Sequence, residues 1–204
     1  MLRTVGVYVQ VVMLVVLGAH GGIAAAAEEA PVADAAESRD AAVIETLLKT
    51  GADVNAAQVD GMTALHWAVY HDEFKTAKLL VKAGADVRRE NRYGVAPISL
   101  AATNGNGPLV ELLLDSGADP NRVSDGGETV LMTAAYTGSL GVVEALLRHN
   151  ADPNATEHRN QTALMWAAAE GHASVVDALI DAGADVHAKL YSGFTPMFFA
   201  VREG

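Results

Sequence analysis

From Thr162 to Asp185 the chain reads TALMWAAAEGHASVVDALIDAGAD: an opening threonine, a small-residue stretch, an apolar stretch and a closing Gly-Ala-Asp. The closing triplet returns at Gly51, Gly84, Gly117, Asn150 and Gly183, an unbroken period of 33 residues with asparagine once replacing glycine. The opening position returns in phase at Thr63, Ala96, Thr129, Thr162 and Thr195. Two motifs in one register mark a solenoid, in which each unit buries its face only against its neighbours.

The residue types explain what each unit folds into. A threonine hydroxyl at the opening can accept a hydrogen bond from an orphan amide of a following helix, and Pro97 and Pro196 stand at the tolerated first helical position, so helix one starts there. Apolar residues then fall at i, i+1, i+4 and i+5: Val43, Ile44, Leu47 and Leu48 in one unit, Val142, Val143, Leu146 and Leu147 in another, Val175, Val176, Leu179 and Ile180 in a third. That spacing gives one buried face of a second helix. The triplet follows where a left-handed residue ends a helix, and Asn150 is the non-glycine best able to adopt that conformation. Gly61, Gly94, Gly127, Asn160 and Gly193 form a further column inside polar stretches, as tight turns between units require. Ala134, Ala135, Ala167, Ala168 and Ala169 keep helix one slim, so neighbouring helices can approach closely.

The openings Thr63-Ala64-Leu65-His66-Trp67-Ala68, Ala96-Pro97-Ile98-Ser99-Leu100-Ala101, Thr162-Ala163-Leu164-Met165-Trp166-Ala167 and Thr195-Pro196-Met197-Phe198-Phe199-Ala200 resemble the Thr-Pro-Leu-His-x-Ala opening of ankyrin repeats. The Gly-Ala-Asp-Val-Asn closings resemble the end of the same repeat, and the resemblance runs from about Ala30 to Gly204. It implies an all-α solenoid of stacked helix-turn-helix units linked by projecting hairpin loops. It also implies a binding scaffold, and it names no partner. The units divide as a degenerate N-terminal capping repeat at 28–59, repeats at 60–92, 93–125, 126–158 and 159–191, and an incomplete repeat at 192–204. His66 occupies the motif position to which the resemblance gives a structural hydrogen bond, while the same column elsewhere holds Ser99, Met132, Met165 and Phe198.

Residues 1–27 stand apart. Arg3, an apolar run from Val5 to Leu17 and Ala25-Ala26-Ala27 before Glu28-Glu29 predict a cleaved secretory signal, and hence an exported periplasmic or extracellular protein. Gln10 and a run short of the roughly 20 residues of a membrane span disfavour an anchor, so a membrane becomes a partner only if this segment stays uncleaved. At the other end Gly204 aligns with Gly105, Gly138 and Gly171, between helix one and helix two. Met197, Phe198, Phe199 and Val201 are then expected to be partly uncovered, as in a fragment of a longer product.

Zero cysteines exclude a disulfide framework, a thiolate metal site and a cysteine nucleophile. The net charge of −11 disfavours nucleic acid and anionic membrane surfaces, and the acids Glu45, Glu111, Glu144 and Asp177 are expected on a solvated outer face of helix two. The zinc helix, nucleophile elbow, phosphate loop and calcium loop are all missing, and His66 with His71 lacks the i, i+4 spacing of a metal pair. Asn154 and Asn160 open glycosylation sequons.

No catalysis, cofactor, metal or small-molecule substrate is therefore expected, and another protein is the expected partner. In ankyrin-like stacks the hairpin tips and the open side of helix one line a concave groove. The candidate partner-binding residues there are Met62, Tyr70, Arg92, Tyr93, Tyr136, His158, Arg159, Tyr191 and Phe194, with Val59, Asp60, His71, Val95, Thr103, Asn104, Asp125, Glu128, Thr137, Gln161 and Glu170 in the same columns. Tyrosine and arginine are enriched at binding hot spots because they offer a large contact area with a polar end. Trp67 and Trp166 share a helix-one column and read as core or groove floor. The alternative is the recognition arm of a larger enzyme or membrane protein that continues beyond Gly204.

Overall fold

The computed structural model describes residues 29–203; the expected signal segment lies outside the described residues. Within them eleven helices and no strand alternate along the chain, giving the expected all-α stack. The pairs are α1 (Pro31–Glu37) with α2 (Ala41–Lys49), α3 (Ala64–Tyr70) with α4 (Phe74–Lys82), and α5 (Pro97–Thr103) with α6 (Gly107–Asp115). They continue with α7 (Val130–Thr137) and α8 (Leu140–Arg148), then α9 (Ala163–Ala169) and α10 (Ala173–Asp181); α11 (Pro196–Glu203) follows. No helix among the described residues is long and apolar enough to cross a membrane.

Helix starts follow the capping chemistry. The hydroxyls of Thr63, Thr129 and Thr162 accept the backbone N–H of His66, Met132 and Met165 at 3.5, 3.2 and 3.4 Å. At Thr195 the outcome differs: the Phe198 N–H bonds the threonine carbonyl at 3.0 Å, a tighter turn of 3₁₀ type that uses the donor the hydroxyl was expected to cap. The second helices end in the left-handed region as expected, with φ of 96° at Gly117 and 65° at Asn150.

The apolar face of the second helices resolves into two stripes. Leu109, Val110, Leu113, Val142, Val143 and Leu146 are fully buried in the middle units. At the ends burial is one-sided: Val43 is 43% exposed while Ile44 is sealed, and Ile180 is 43% exposed while Val175 and Leu179 are sealed. The i and i+4 positions thus face the preceding unit and the i+1 and i+5 positions the following one. Each unit is stabilised by its neighbours on two distinct surfaces, which is why burial fails at different positions at the two ends.

The alanine-rich first helices contact one another at every step, and the second helices do so more sparsely at every step except α6 to α8. Ala68, Ala101, Ala134, Ala135 and Ala167 are fully buried between the first helices.

Asparagines lock the units in register. Asn55, Asn121 and Asn154 each donate to the closing carbonyl of the next unit (Gly84, Asn150, Gly183) at 3.0–3.1 Å. Their Oδ1 atoms accept from Asp86, Asp152 and Asp185 N–H at 2.7 Å. In the same column Arg88 reaches the Gly117 carbonyl at 2.6 Å. Both sequon asparagines are engaged in this way, since the Asn160 amide bonds the Lys189 carbonyl.

Candidate functional site on the hairpin-tip face

Five hairpins project beside the first helices, each closed by the same backbone bond: Gln58 to Met62, Asn91 to Val95, Ser124 to Glu128, Glu157 to Gln161 and Leu190 to Phe194, at 2.8–3.1 Å. The turn residue has positive φ in each, including Asn160. This ladder presents Arg92, Tyr93, His158, Arg159, Tyr191 and Phe194 to solvent, with Tyr93 49% and Tyr191 84% exposed. Tyr70 and Tyr136 are half-buried, each edge-on to a tryptophan, Trp67 at 5.7 Å and Trp166 at 6.0 Å between ring centroids.

Met62 does not belong to that surface. It is 1% exposed, because its side chain turns under the tip into the stack, where the Asn91 amide lies 3.4 Å from its sulfur. Later members of its column, Val95, Glu128 and Gln161, are half-buried, and Phe194 is the one that opens to solvent. Met197, Phe198 and Val201 are exposed as expected, whereas Phe199 is 7% exposed because it turns back into the hydrophobic core.

One cleft, of about 150 Å³, lies on this face and spans three units. The Tyr93-Gly94-Val95 tip, Ser99 and Thr103 of α5 form one side, and the Ser124–Glu128 tip with Val130 and Thr133 of α7 the other. Arg122 and Trp166 of α9 complete the lining. Asp125 is exposed and faces the neighbouring tip, since a Cβ on Gly94 would lie 3.1 Å from its carboxylate.

His66 fixes one wall. Its Nδ1 accepts from the Thr63 N–H at 3.2 Å and lies 2.8 Å from the Thr63 hydroxyl, which assigns the ring proton to Nε2, 3.0 Å from the Val95 carbonyl. Burial is the main reason that its pKa is lowered from 6.5 to about 4; the Val95 carbonyl and Asp60 pull the other way. The ring is a neutral bolt between one unit and the next tip, the structural role implied at this position.

Two donors in the cleft lining lack partners. The Arg122 guanidinium bonds the Gly94 carbonyl through Nη2 and pairs with Glu90 at 2.8 Å through Nη1, but its Nε is buried and unpaired. The Trp166 Nε1 is buried and unpaired as well. In the same column Trp67 donates to Gln58 Oε1 at 2.7 Å. The residue corresponding to Gln58 in the Trp166 unit is Glu157, whose Oε1 accepts instead from the Arg159 and Gln161 N–H at 2.8 and 3.1 Å. A buried donor without an acceptor costs about 1–3 kcal/mol. The tip columns hold Tyr93, Val95, Thr103, Asp125 and Glu128, whereas Arg122, Ser99 and Thr133 reach the cleft from outside the candidate set, and Trp166, expected as core or groove floor, lines the cleft while only 5% exposed.

The outer face is less uniformly solvated than expected. Glu45, Glu144 and Asp177 are exposed, Glu45 with Lys49 at 3.5 Å, whereas Glu111 is half-buried and pairs with Arg148 of the next unit at 2.8 Å. Glu111 also gathers with Asp115 and His149 within 4.8 Å. The Arg148 guanidinium already pairs with Glu111, and His149 Nε2 lies 3.5 Å from Glu111 and 3.7 Å from Asp115, so the group reads as a polar contact between outer helices.

The comparisons agree with this architecture. A family model described as ankyrin repeats in three copies matches residues 10–91 and again 98–190, most of the chain. No curated protein matches it. With helix pairs, tips and closing turns all at the family's repeat length, the chain belongs to the ankyrin-repeat family.

Proposed function

We propose that this chain is a non-catalytic scaffold that binds another protein through the concave face formed by its hairpin tips and first helices, and that it acts after export. The observation that carries the reading is the cleft at the centre of that face, held between rigid helix ends and bordered by the exposed Tyr93. Ankyrin repeats are in general protein-interaction modules. A standard interface asks for about 800 Å² on each partner, and several consecutive tips offer that area without a folding cost. Export rests on the sequence of residues 1–27.

The test is capture of a partner from the exported fraction of the source cells, followed by hydrogen exchange of the complex. Protection should fall on the tips around 92–95 and 124–128 and spare the outer face of α6, α8 and α10. Protection confined to that outer face contradicts the proposal. Export is checked by intact mass: the exported protein should begin near Glu28, and retention of residues 1–27 in a membrane fraction counts against it.

A further inference from the structure

We propose that the cleft between the Tyr93 and Asp125 tips recognises an apolar side chain of an extended peptide segment flanked by lysine or arginine, with a main-chain carbonyl of that segment accepting from Trp166 Nε1. The inference rests on the protein-binding reading and adds the chemistry of the bound segment.

Trp166 is only 5% exposed, lines the cleft, and lacks the acceptor that Gln58 gives to Trp67. Arg122 Nε adds a second unpaired donor in the same lining. A site with buried donors and no acceptor for them is completed by a ligand that brings acceptors, which a peptide main chain does at every residue. Val95 and Val130 contribute apolar walls, and about 150 Å³ is the size of cavity that holds one benzene-sized group. One side chain of leucine or phenylalanine scale therefore fits, and no more. Around it Asp125 and Glu128 set a negative border, since the charge of Arg122 in the same lining is paired with Glu90 at 2.8 Å, and on a chain of net charge −11 this selects a cationic neighbour. Both donors are shielded from water in the unliganded protein, so a side chain of the lining moves aside to admit the carbonyl.

The two tryptophans supply the test, because each gives one indole N–H resonance. The protein is titrated with acetyl-Lys-Leu-Lys-amide and with acetyl-Glu-Leu-Glu-amide. The Trp166 indole proton should move downfield and saturate with the lysine peptide while the Trp67 resonance stays in place. The glutamate peptide should bind at least about threefold more weakly, the ratio one surface charge pair supports, and Asp125→Asn should narrow that ratio. Trp166→Phe removes the donor together with part of a buried ring, so it should melt somewhat lower than the wild type; at a temperature where circular dichroism shows both proteins folded, it should bind the lysine peptide about fivefold more weakly. A static Trp166 resonance at 10 mM peptide, on the order of the weakest specific affinities, overturns the inference. So does unchanged binding by Trp166→Phe, and equal binding of the two peptides overturns the charge assignment. A protein partner captured through Tyr93 that leaves the Trp166 resonance unmoved would retire this inference and leave the scaffold reading standing.

Discussion

Acidification should loosen this stack through one residue, His66. In the folded protein the ring is neutral, buried, and used at both nitrogens, with Nδ1 accepting from Thr63 and Nε2 donating to the Val95 carbonyl. Protonation turns Nδ1 from acceptor to donor against the Thr63 N–H and places a charge in the core. The folded pKa is lowered to about 4, chiefly by burial, against 6.5 for the free side chain. The unfolded chain therefore binds more protons in the interval between those values. The stabilising contribution is complete above pH 6.5 and is lost as pH falls towards 4. The linkage relation converts the two values into a loss of about 2 kcal/mol between pH 7.5 and 5, and about 3 kcal/mol by pH 4. Other groups titrate over the same range, so the readout is a difference. Urea denaturation at pH 7.5 and 5 is compared for the wild type and His66→Met, a residue that two sister units carry in this column. The variant should be less stable at pH 7.5, since the Val95 carbonyl loses its donor, but its stability should fall by about 2 kcal/mol less on acidification. If both proteins lose the same amount, His66 is not the buried neutral group described here. Because the ring holds Val95, a wall of the cleft, binding by the tip face should weaken over the same pH interval.

Nearest-neighbour stacking makes the cost of a core deletion depend on its position. Leu113→Ala, sealed between units, should cost about 2–5 kcal/mol in thermal or urea unfolding, and Val43→Ala, open on one side, less than about 1 kcal/mol; equal costs would mean the units do not stabilise one another. Gly117→Val has space for its Cβ, with Arg88 the nearest neighbour at 3.6 Å, so its cost of about 1–2 kcal/mol should come from the positive φ alone. Asn150→Gly should stay within about 0.5 kcal/mol of the wild type by the same assay, and a large effect of either sign would show that the Asn150 side chain does more than take the turn.

Much of the architecture was readable because repetition gives the same physical statement five times. Threonine caps, the glycine columns and the substitution of Asn150 each report a backbone requirement that only a few residue types meet, so position fixes conformation. The i, i+1, i+4, i+5 spacing gave the buried face of the second helices. It could not say that Val43 and Ile180 lie open, since that depends on what stands beside each unit. The site was less legible because it depends on where side chains reach. Met62 shares a column with the exposed Phe194 yet turns inward. Arg122 precedes its own tip and extends back to the Gly94 carbonyl of the previous one. Glu111 finds Arg148 in the following unit, 37 residues on. The two tryptophans look equivalent in sequence, and only the residue nine positions before each, Gln58 or Glu157, separates a paired indole from an unpaired one. That last difference was visible as a deviation from the repeat, and such deviations are where a scaffold built from equivalent units acquires a specific site.

The central claim, recognition by the tip face, is tested most directly by the affinity of a captured partner for two double variants. Arg92→Ala with Tyr93→Ala strips exposed tip side chains and leaves the half-buried Tyr136 against Trp166, so the melting temperature should not change. Glu144→Gln with Asp177→Asn alters exposed acids of the outer helices. By titration calorimetry the tip variant should bind at least about 2 kcal/mol more weakly, and the outer variant should fall within about 0.5 kcal/mol of the wild type. Loss of binding in the outer variant, with the tip variant unaffected, would place recognition on the convex face and contradict the account.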